Sequence, residues 1–251
     1  MKDFILSPSS LNLFIEEPCL WMLKHFFGMR GSANIYAIRG KLVEDYLNIV
    51  IDENKEPSQE DYIKKVLPSI FFDNIEVLPE NLEDFYSWGK HCLPVYKETI
   101  KDHGALVSRQ KYIQGKIGGL TLGGYLDFEF ENITVDLKTV SKLPNLLVRG
   151  ARAGQLPAFK AANIRQQAIY SAITNKTAAL LFIDKDGRNL FYALKPEDIE
   201  EVKPSIKKAI EEVKNIIDKG FDAIFQDYRP KNTNSMYWDN DLKIKANEIW
   251  G

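Results

Sequence analysis

The chain has 251 residues, enough for one large hydrophobic core or one core with a helical annex. Its 45% hydrophobic and 27% charged content is that of an ordinary globular protein, and a net charge of -2 gives no bulk attraction to nucleic acid, although local charge placement counts for more than the sum. Two cysteines, Cys19 and Cys92, exclude a four-cysteine zinc or iron–sulfur site and a disulfide framework within the chain.

The opening "MKDFILSPSSLNLF" lacks an apolar signal region, and no run reaches the roughly 18 apolar residues of a membrane helix. The expectation is a cytoplasmic protein of a bacterium or phage-infected host, with reduced cysteines and no membrane partner. "SPSSLNLFIEEPCLWMLKHFFG" begins with serines suited to capping and continues with Leu11, Phe14, Leu20, Leu23 and Phe27 at helical intervals. Pro18 interrupts it, which predicts two short helices or one kinked helix. "NIYAIRGKLVEDYLNIVIDE" places Ile38, Leu42, Tyr46 and Ile49 on one stripe and reads as a helix. Residues 57–103 are mostly helical and rich in aromatics, with expected breaks at Pro68, Pro79 and Pro94. They read as a cap or insertion beside the sheet.

From residue 105 the period changes. "ALVSRQKYIQGKIGGLTLGGYLDFEFENITVDLKTV" holds strand-like pieces separated by Gly or Asn, as in an antiparallel meander. "LPAFKAANIRQQAIYSAIT" reads as a helix. The run "AALLFI", the turn "DKDG" and a second strand make a hairpin. "PEDIEEVKPSIKKAIEEVKNIIDKG" is a long amphipathic helix whose stripe is Ile199, Val202, Ile206, Ile210, Val213 and Ile217, with Pro204 bending its first turns and Gly220 ending it. The remaining tail reads as irregular and polar. The fold class is therefore α/β, a mixed, mostly antiparallel sheet flanked by helices.

Charges stand where core strands should run. Asp136 and Lys138 are two apart on one strand and face one side, while Val135 and Leu137 face the other. If "EFEN" makes the turn, Asp127 returns beside Asp136. Paired carboxylates repel when ionised, which favours a divalent cation between them, and an all-oxygen set points to Mg²⁺ or Mn²⁺. Lys138 then fits as a group that orients or deprotonates the attacking water, or that steadies charge on a phosphate. Taken alone, D-x-K equally suits the solvated face of an edge strand. Glu44 sits beside the apolar stripe of its helix, where it could reach the metal or simply meet solvent. Gln166 and Tyr170 are i and i+4 and share one helix face.

The ordered set of "SPSSLNLFIEEPCLW", "GKLVE" (Gly40 to Glu44), "GYLD" (Gly124 to Asp127), "DLK" (136 to 138) and "QQAIY" (Gln166 to Tyr170) resembles the PD-(D/E)XK nuclease superfamily, in its RecB-like and CRISPR-associated or phage exonuclease branch. The resemblance implies a restriction-endonuclease-like core and a single nuclease domain over 1–251 with a helical insertion at about 52–103. It implies metal binding by Asp127, Asp136, the carbonyl of Leu137 and Glu44, the last in a position often held by histidine. It implies Lys138 as the catalytic lysine, with Gln166 and Tyr170 organising the active site or substrate. The tail lacks the three cysteines of the iron–sulfur branch, so no cluster is expected; Tyr228, Met236, Tyr237, Trp238 and Trp250 are candidates to pack the chain ends together.

Residues 103–176 hold ten Lys or Arg against four Asp or Glu. Arg109, Lys111, Lys142, Arg149, Arg152, Lys160 and Arg165 could line a phosphate track, and Tyr36, Phe85, Tyr86 and Trp88 could stack bases. The resulting expectation is a Mg²⁺- or Mn²⁺-dependent deoxyribonuclease, an exonuclease more than a site-specific cutter, acting on DNA in recombination, repair or phage genome processing. Self-association or a recombination or repair partner stays open. The competing readings are a non-catalytic nucleic-acid-binding accessory protein that keeps the fold, a scaffold using the 57–103 helices, and a hydrolase of some other phosphoester.

Overall fold

In the computed structural model, residues 4–29, 35–72, 79–144, 161–220, 225–230, 233–234 and 238–251 are described. A two-residue strand, β1 (Ile5–Leu6), leads into α1 (Pro8–Glu16) and α2 (Pro18–Phe26). Ser7 caps α1 by accepting the N–H of Ser10 at 3.0 Å, and both helices start on a proline whose missing N–H needs no partner there. Pro18 therefore gives two helices. They are followed by α3 (Ile35–Glu53), α4 (Gln59–Phe72) and α5 (Pro79–His103).

The expected breaks at Pro68 and Pro94 do not occur, since α4 and α5 run through them. An interior proline forfeits a helix hydrogen bond and costs about 3 kcal/mol. In α5, Trp88, Cys92 and Leu93 before Pro94 and Val95 and Tyr96 after it are all buried in one core, and that burial outweighs the defect. Pro79 does mark a boundary, as the first residue of α5.

Among the described residues, the sheet has six strands. β2 (Leu106–Ile117) and β3 (Leu120–Phe130) form a long antiparallel hairpin. Its two-residue turn is Gly118–Gly119, both at positive φ (58° and 85°), the combination a tight I′-like turn requires. The other edge of β3 has two partners. β1 runs parallel to its start, at Thr121 and Leu122, and β4 (Ile133–Val140) runs antiparallel to its end, at Phe128 and Glu129. Between these short ladders, residues 123–127 pair on that edge with neither strand. After α6 (Ala161–Thr174), β5 (Thr177–Asp184) lies parallel to β4 along its full length, and β6 (Asn189–Ala193) closes the order β1-β3-β4-β5-β6. The sheet is thus mixed, as expected.

Helices cover both faces. Leu6, Leu122, Leu180 and Phe182 pack against α1, α2, α6 and the amphipathic α7 (Pro196–Lys219). Phe128, Phe130, Val135, Leu137, Leu181 and Ile183 pack against α3, α4 and α5. The 57–103 helices are consequently a layer over the sheet. Leu120 and Leu122 belong to the first core, while Phe128 and Phe130, of the same parity along β3, belong to the second. The strand changes face in between, at the level where Gln110 on β2 takes φ +46°, unusual for a residue with a Cβ.

The tail is more ordered than its composition suggests. A 3-10 turn (Phe225–Tyr228) precedes α8 (Asn240–Trp250), capped by Asp239, with Leu242, Ala246 and Trp250 buried. Trp238 and Trp250 join the first core, Tyr228 packs on Phe14 at 6.0 Å, and the Cys19 thiol donates to the Tyr228 carbonyl. The chain ends meet by this packing; Met236 and Tyr237 lie outside the described residues. No helix among the described residues is long and apolar enough to cross a membrane.

Candidate active site

The site forms where β3 and β4 part. Their ladder ends at Phe128 opposite Val135, so the next residues in register are Asp127 and Asp136. The strands splay there, and the Asp127 carboxylate accepts the N–H of Leu137 at 2.9 Å in place of a backbone ladder bond. Asp136 is buried, 4% exposed, and faces away from the core side of Val135 and Leu137. Lys138, on its side of β4, brings Nζ to 2.6 Å from Asp136 Oδ2. That oxygen is buried and makes no well-angled hydrogen bond among the described residues, so the lysine contact is an ion pair without a directed bond. An acceptor left in this condition has capacity for a further cationic partner.

From the α6 side, Gln166 Nε2 lies 3.4 Å from Asp136 Oδ1 and 3.4 Å from the Tyr170 hydroxyl, so the i, i+4 pair is presented together. Gly124 shows why "GYLD" begins with glycine. A Cβ there would fall 2.7 Å from the Tyr170 hydroxyl and 3.3 Å from Pro8 Cδ. Three separate sequence motifs thus touch at one point. Gly124→Ala is expected to destabilise the fold by about 1–3 kcal/mol through overpacking. Combining it with Tyr170→Phe, which removes the nearest atom, should restore part of that loss in a thermal-unfolding double-mutant cycle.

Glu44 approaches from α3, where Gln110 Nε2 donates to its Oε1. Burial first, and then repulsion from Asp127 and Asp136, push its carboxyl up to about 9. Burial and the Asp136 charge likewise raise Asp127 to about 7, against the opposing pull of Lys138 and the Leu137 N–H. For Lys138, burial alone would lower the ammonium pKa; attraction to Asp136 and Asp127 outweighs it and holds the group above the ordinary lysine range. Burial pushes the Tyr170 hydroxyl up to about 12. The pocket is acidic, crowded and short of positive charge.

The structure brings Asp127, Asp136, Lys138, Gln166 and Tyr170 together at the fork, with Glu44 close enough to repel both aspartates. It does not gather the three acids as one cage. Among the described residues, no group of three His, Cys, Asp or Glu side chains is placed to hold a metal ion, because Glu44 is turned to Gln110 and Asp136 to Lys138. The donors that fit a hard divalent cation are the opposed pair Asp127 and Asp136, all oxygen, one atom of which lacks a directed bond. Gln110 was not foreseen; nothing in "SRQKY" marks a residue at positive φ.

The expected basic track changes. Arg109 donates to the carbonyl and side chain of Asn48 at 3.0 and 2.9 Å and pairs with Asp52. Arg165 is buried, 2.6 Å from Asn12 Oδ1 and 2.8 Å from Glu16. Lys111 pairs with the buried Glu129 at 2.9 Å. Arg109 and Arg165 are thus met by carboxylates from outside 103–176, and Lys111 by one within it. Lys142 is exposed just past β4, and Arg149, Arg152 and Lys160 lie outside the described residues. Of the aromatics, Phe85 and Trp88 are core, Tyr86 is half-buried with its hydroxyl on the Pro57 carbonyl, and Tyr36 is 60% exposed.

No protein-family model and no curated protein matches the sequence. Among solved structures, a crystal structure of a candidate exonuclease from Eubacterium rectale is similar over 84% of this chain and 80% of its own, with a TM-score of 0.60 at 13% identity. The two share a fold. An alkaline exonuclease from Laribacter hongkongensis aligns over 74% of this chain and 94% of its own at 12% identity, with a TM-score of 0.35.

Proposed function

We propose that the chain is a metal-dependent deoxyribonuclease of the PD-(D/E)XK superfamily, one domain with a restriction-endonuclease-like core, working as an exonuclease on DNA in the cytoplasm. The observation that carries this reading is the fork itself, where Asp127 and Asp136 stand opposite each other with Lys138 Nζ 2.6 Å from Asp136. The shared fold with the Eubacterium rectale protein supports it.

Asp127 and Asp136, with the Leu137 carbonyl, would hold Mg²⁺ or Mn²⁺, and no iron–sulfur cluster is part of the proposal. Such an ion supplies Lewis acidity at a phosphoryl oxygen and a more acidic bound water. The Leu137 N–H fixes the Asp127 carboxylate, so its free oxygen keeps one direction. Lys138, kept protonated by its acidic neighbours, donates and stabilises negative charge as it grows on the phosphate; an ammonium held this way does not take a proton. Gln166 steadies Asp136 and, with the Tyr170 hydroxyl, offers donors to water or phosphate. Glu44 holds a proton near neutral pH, which lessens the repulsion among the three acids.

The test incubates end-labelled linear and circular DNA, single- and double-stranded, with the protein in Mg²⁺, Mn²⁺ or EDTA, beside Asp136→Ala. Shortened linear products that need the divalent ion and vanish in the variant are expected. Binding that ignores the ion and leaves every substrate intact would identify an accessory protein instead.

A further inference from the structure

We propose that the α3 turn bearing Tyr36, Arg39 and Gly40 grips the nucleotide next to the one being cleaved, an inference that rests on the nuclease reading of the acidic fork. Arg39 is held in place before any ligand arrives. Its Nε and Nη2 donate to the Oγ1 and carbonyl of Thr139 at 3.2 and 2.8 Å, and its guanidinium carbon lies 4.3 Å from the Trp88 ring centroid and 5.4 Å from that of Tyr36. All these partners are neutral. Arg109, Arg165 and Arg188 each have a carboxylate, whereas Arg39 has none among the described residues. Its charge is therefore rigidly aimed and uncompensated, next to the residue that follows Lys138. That is the state of a guanidinium prepared for an anion.

Two neighbours indicate what the anion belongs to. Tyr36 is the exposed ring of the cluster, stacked beside Arg39 and open on its outer side, as a base-stacking surface must be. Gly40 sits inside a helix, where glycine is less stable than alanine. Among the described residues a Cβ there would meet only Thr139 Oγ1, at an ordinary 3.9 Å, so packing against them does not demand the glycine. Among the described residues it leaves bare the α3 surface beside Arg39, on which a sugar–phosphate backbone can lie close. Glu44 is five residues beyond Arg39, about 7.5 Å along the axis and about 140° around it, and Thr139, which holds Arg39, directly follows Lys138 on β4. A phosphate on Arg39 is then a neighbour of the phosphate over the acids. The ligand class is a single DNA strand, held by one phosphate and one base.

The experiment measures binding of a fluorescein-labelled oligothymidylate to the full chain in EDTA by anisotropy, across a salt series, with melting temperature as the check on folding. Arg39→Gln is expected to weaken binding about tenfold and to flatten the dependence of log K on log salt by about 0.7, the share of one single-strand phosphate. Tyr36→Ala should weaken binding at least about fivefold with the salt slope unchanged. Gly40→Leu should weaken it about tenfold while the melting temperature stays or rises. Parental affinity and slope in a folded Arg39→Gln chain, or parental affinity in both other variants, overturn the inference. If Arg39→Gln does not fold, the exposed Tyr36 and unpacked Gly40 decide the matter. A parent that cuts DNA with divalent ion while it binds no oligothymidylate, or while all three variants bind as it does, removes this inference alone; a parent that neither binds nor cuts any DNA removes the nuclease reading with it.

Discussion

Lys138→Ala is expected to lower DNA cleavage by about 10³-fold while leaving the protein folded and able to bind DNA. The Lys138 side chain is 28% exposed, so truncating it opens no enclosed core cavity. On the proposed reading, what disappears is a fixed positive charge where negative charge would grow in the transition state. Lys138→Arg separates this role from general-base chemistry. A guanidinium keeps the charge but does not give up its proton at any working pH, so a charge-stabilising role predicts partial activity for arginine and almost none for alanine. Single-turnover rates of both variants provide the measurement. Equal inactivity at intact DNA affinity would assign proton transfer to the lysine, and parental rates in both would remove it from the reaction.

The elements that could be read from the chain were those fixed by local chemistry. Ser7 with Pro8, Pro18, the paired glycines 118 and 119, Asp184 in "DKDG" and the stripe from Val202 to Val213 each constrain a few neighbouring residues. Each produced the expected cap, turn or buried face. The site was legible for a related reason. The turn expected over "EFEN" closes on Glu131 and Asn132 alone, with Glu129 and Phe130 still in β3, and this sets Asp127 in register with Asp136, while helical spacing puts Gln166 beside Tyr170. What could not be read depends on distant partners. The charges of Arg109 and Arg165 are met by Asp52 and Glu16, far away in sequence. Pro94 stays helical because residues on both sides of it are buried by the sheet. The change of face along β3 lies opposite a non-glycine residue at positive φ, Gln110, for which no residue type is a signal. The α8 helix did carry one, Asp239 ahead of Leu242, Ala246 and Trp250, and polar composition hid it.

In EDTA, Asp127→Asn should make the protein more stable while abolishing its activity. The amide oxygen can still accept the Leu137 N–H, so the fork keeps its hydrogen bond and loses only a charge. That charge is unfavourable here, since burial and Asp136 raise the carboxyl to about 7 from its usual 3.8. The sign follows from linkage. A carboxyl with a raised folded pKa gives its full stability only below the unfolded value and loses it as pH rises through the folded value. The wild type should therefore lose more stability than the variant between about pH 4 and pH 7, because the loss that comes from Glu44 is common to both. Above that window the difference is on the order of 4 kcal/mol, some 8–16 °C in melting temperature for a chain of this size. Adding Mg²⁺ or Mn²⁺ should raise the wild-type melting temperature by supplying the charge that the pair lacks, and should move the variant little. A variant no more stable than its parent at pH 8, or one that responds fully to the ion, would mean that Asp127 and Asp136 do not share a cation. The crowding of acids at the fork is a cost to the fold alone, and on the proposed reading a divalent ion would be the partner whose charge turns it into a binding energy.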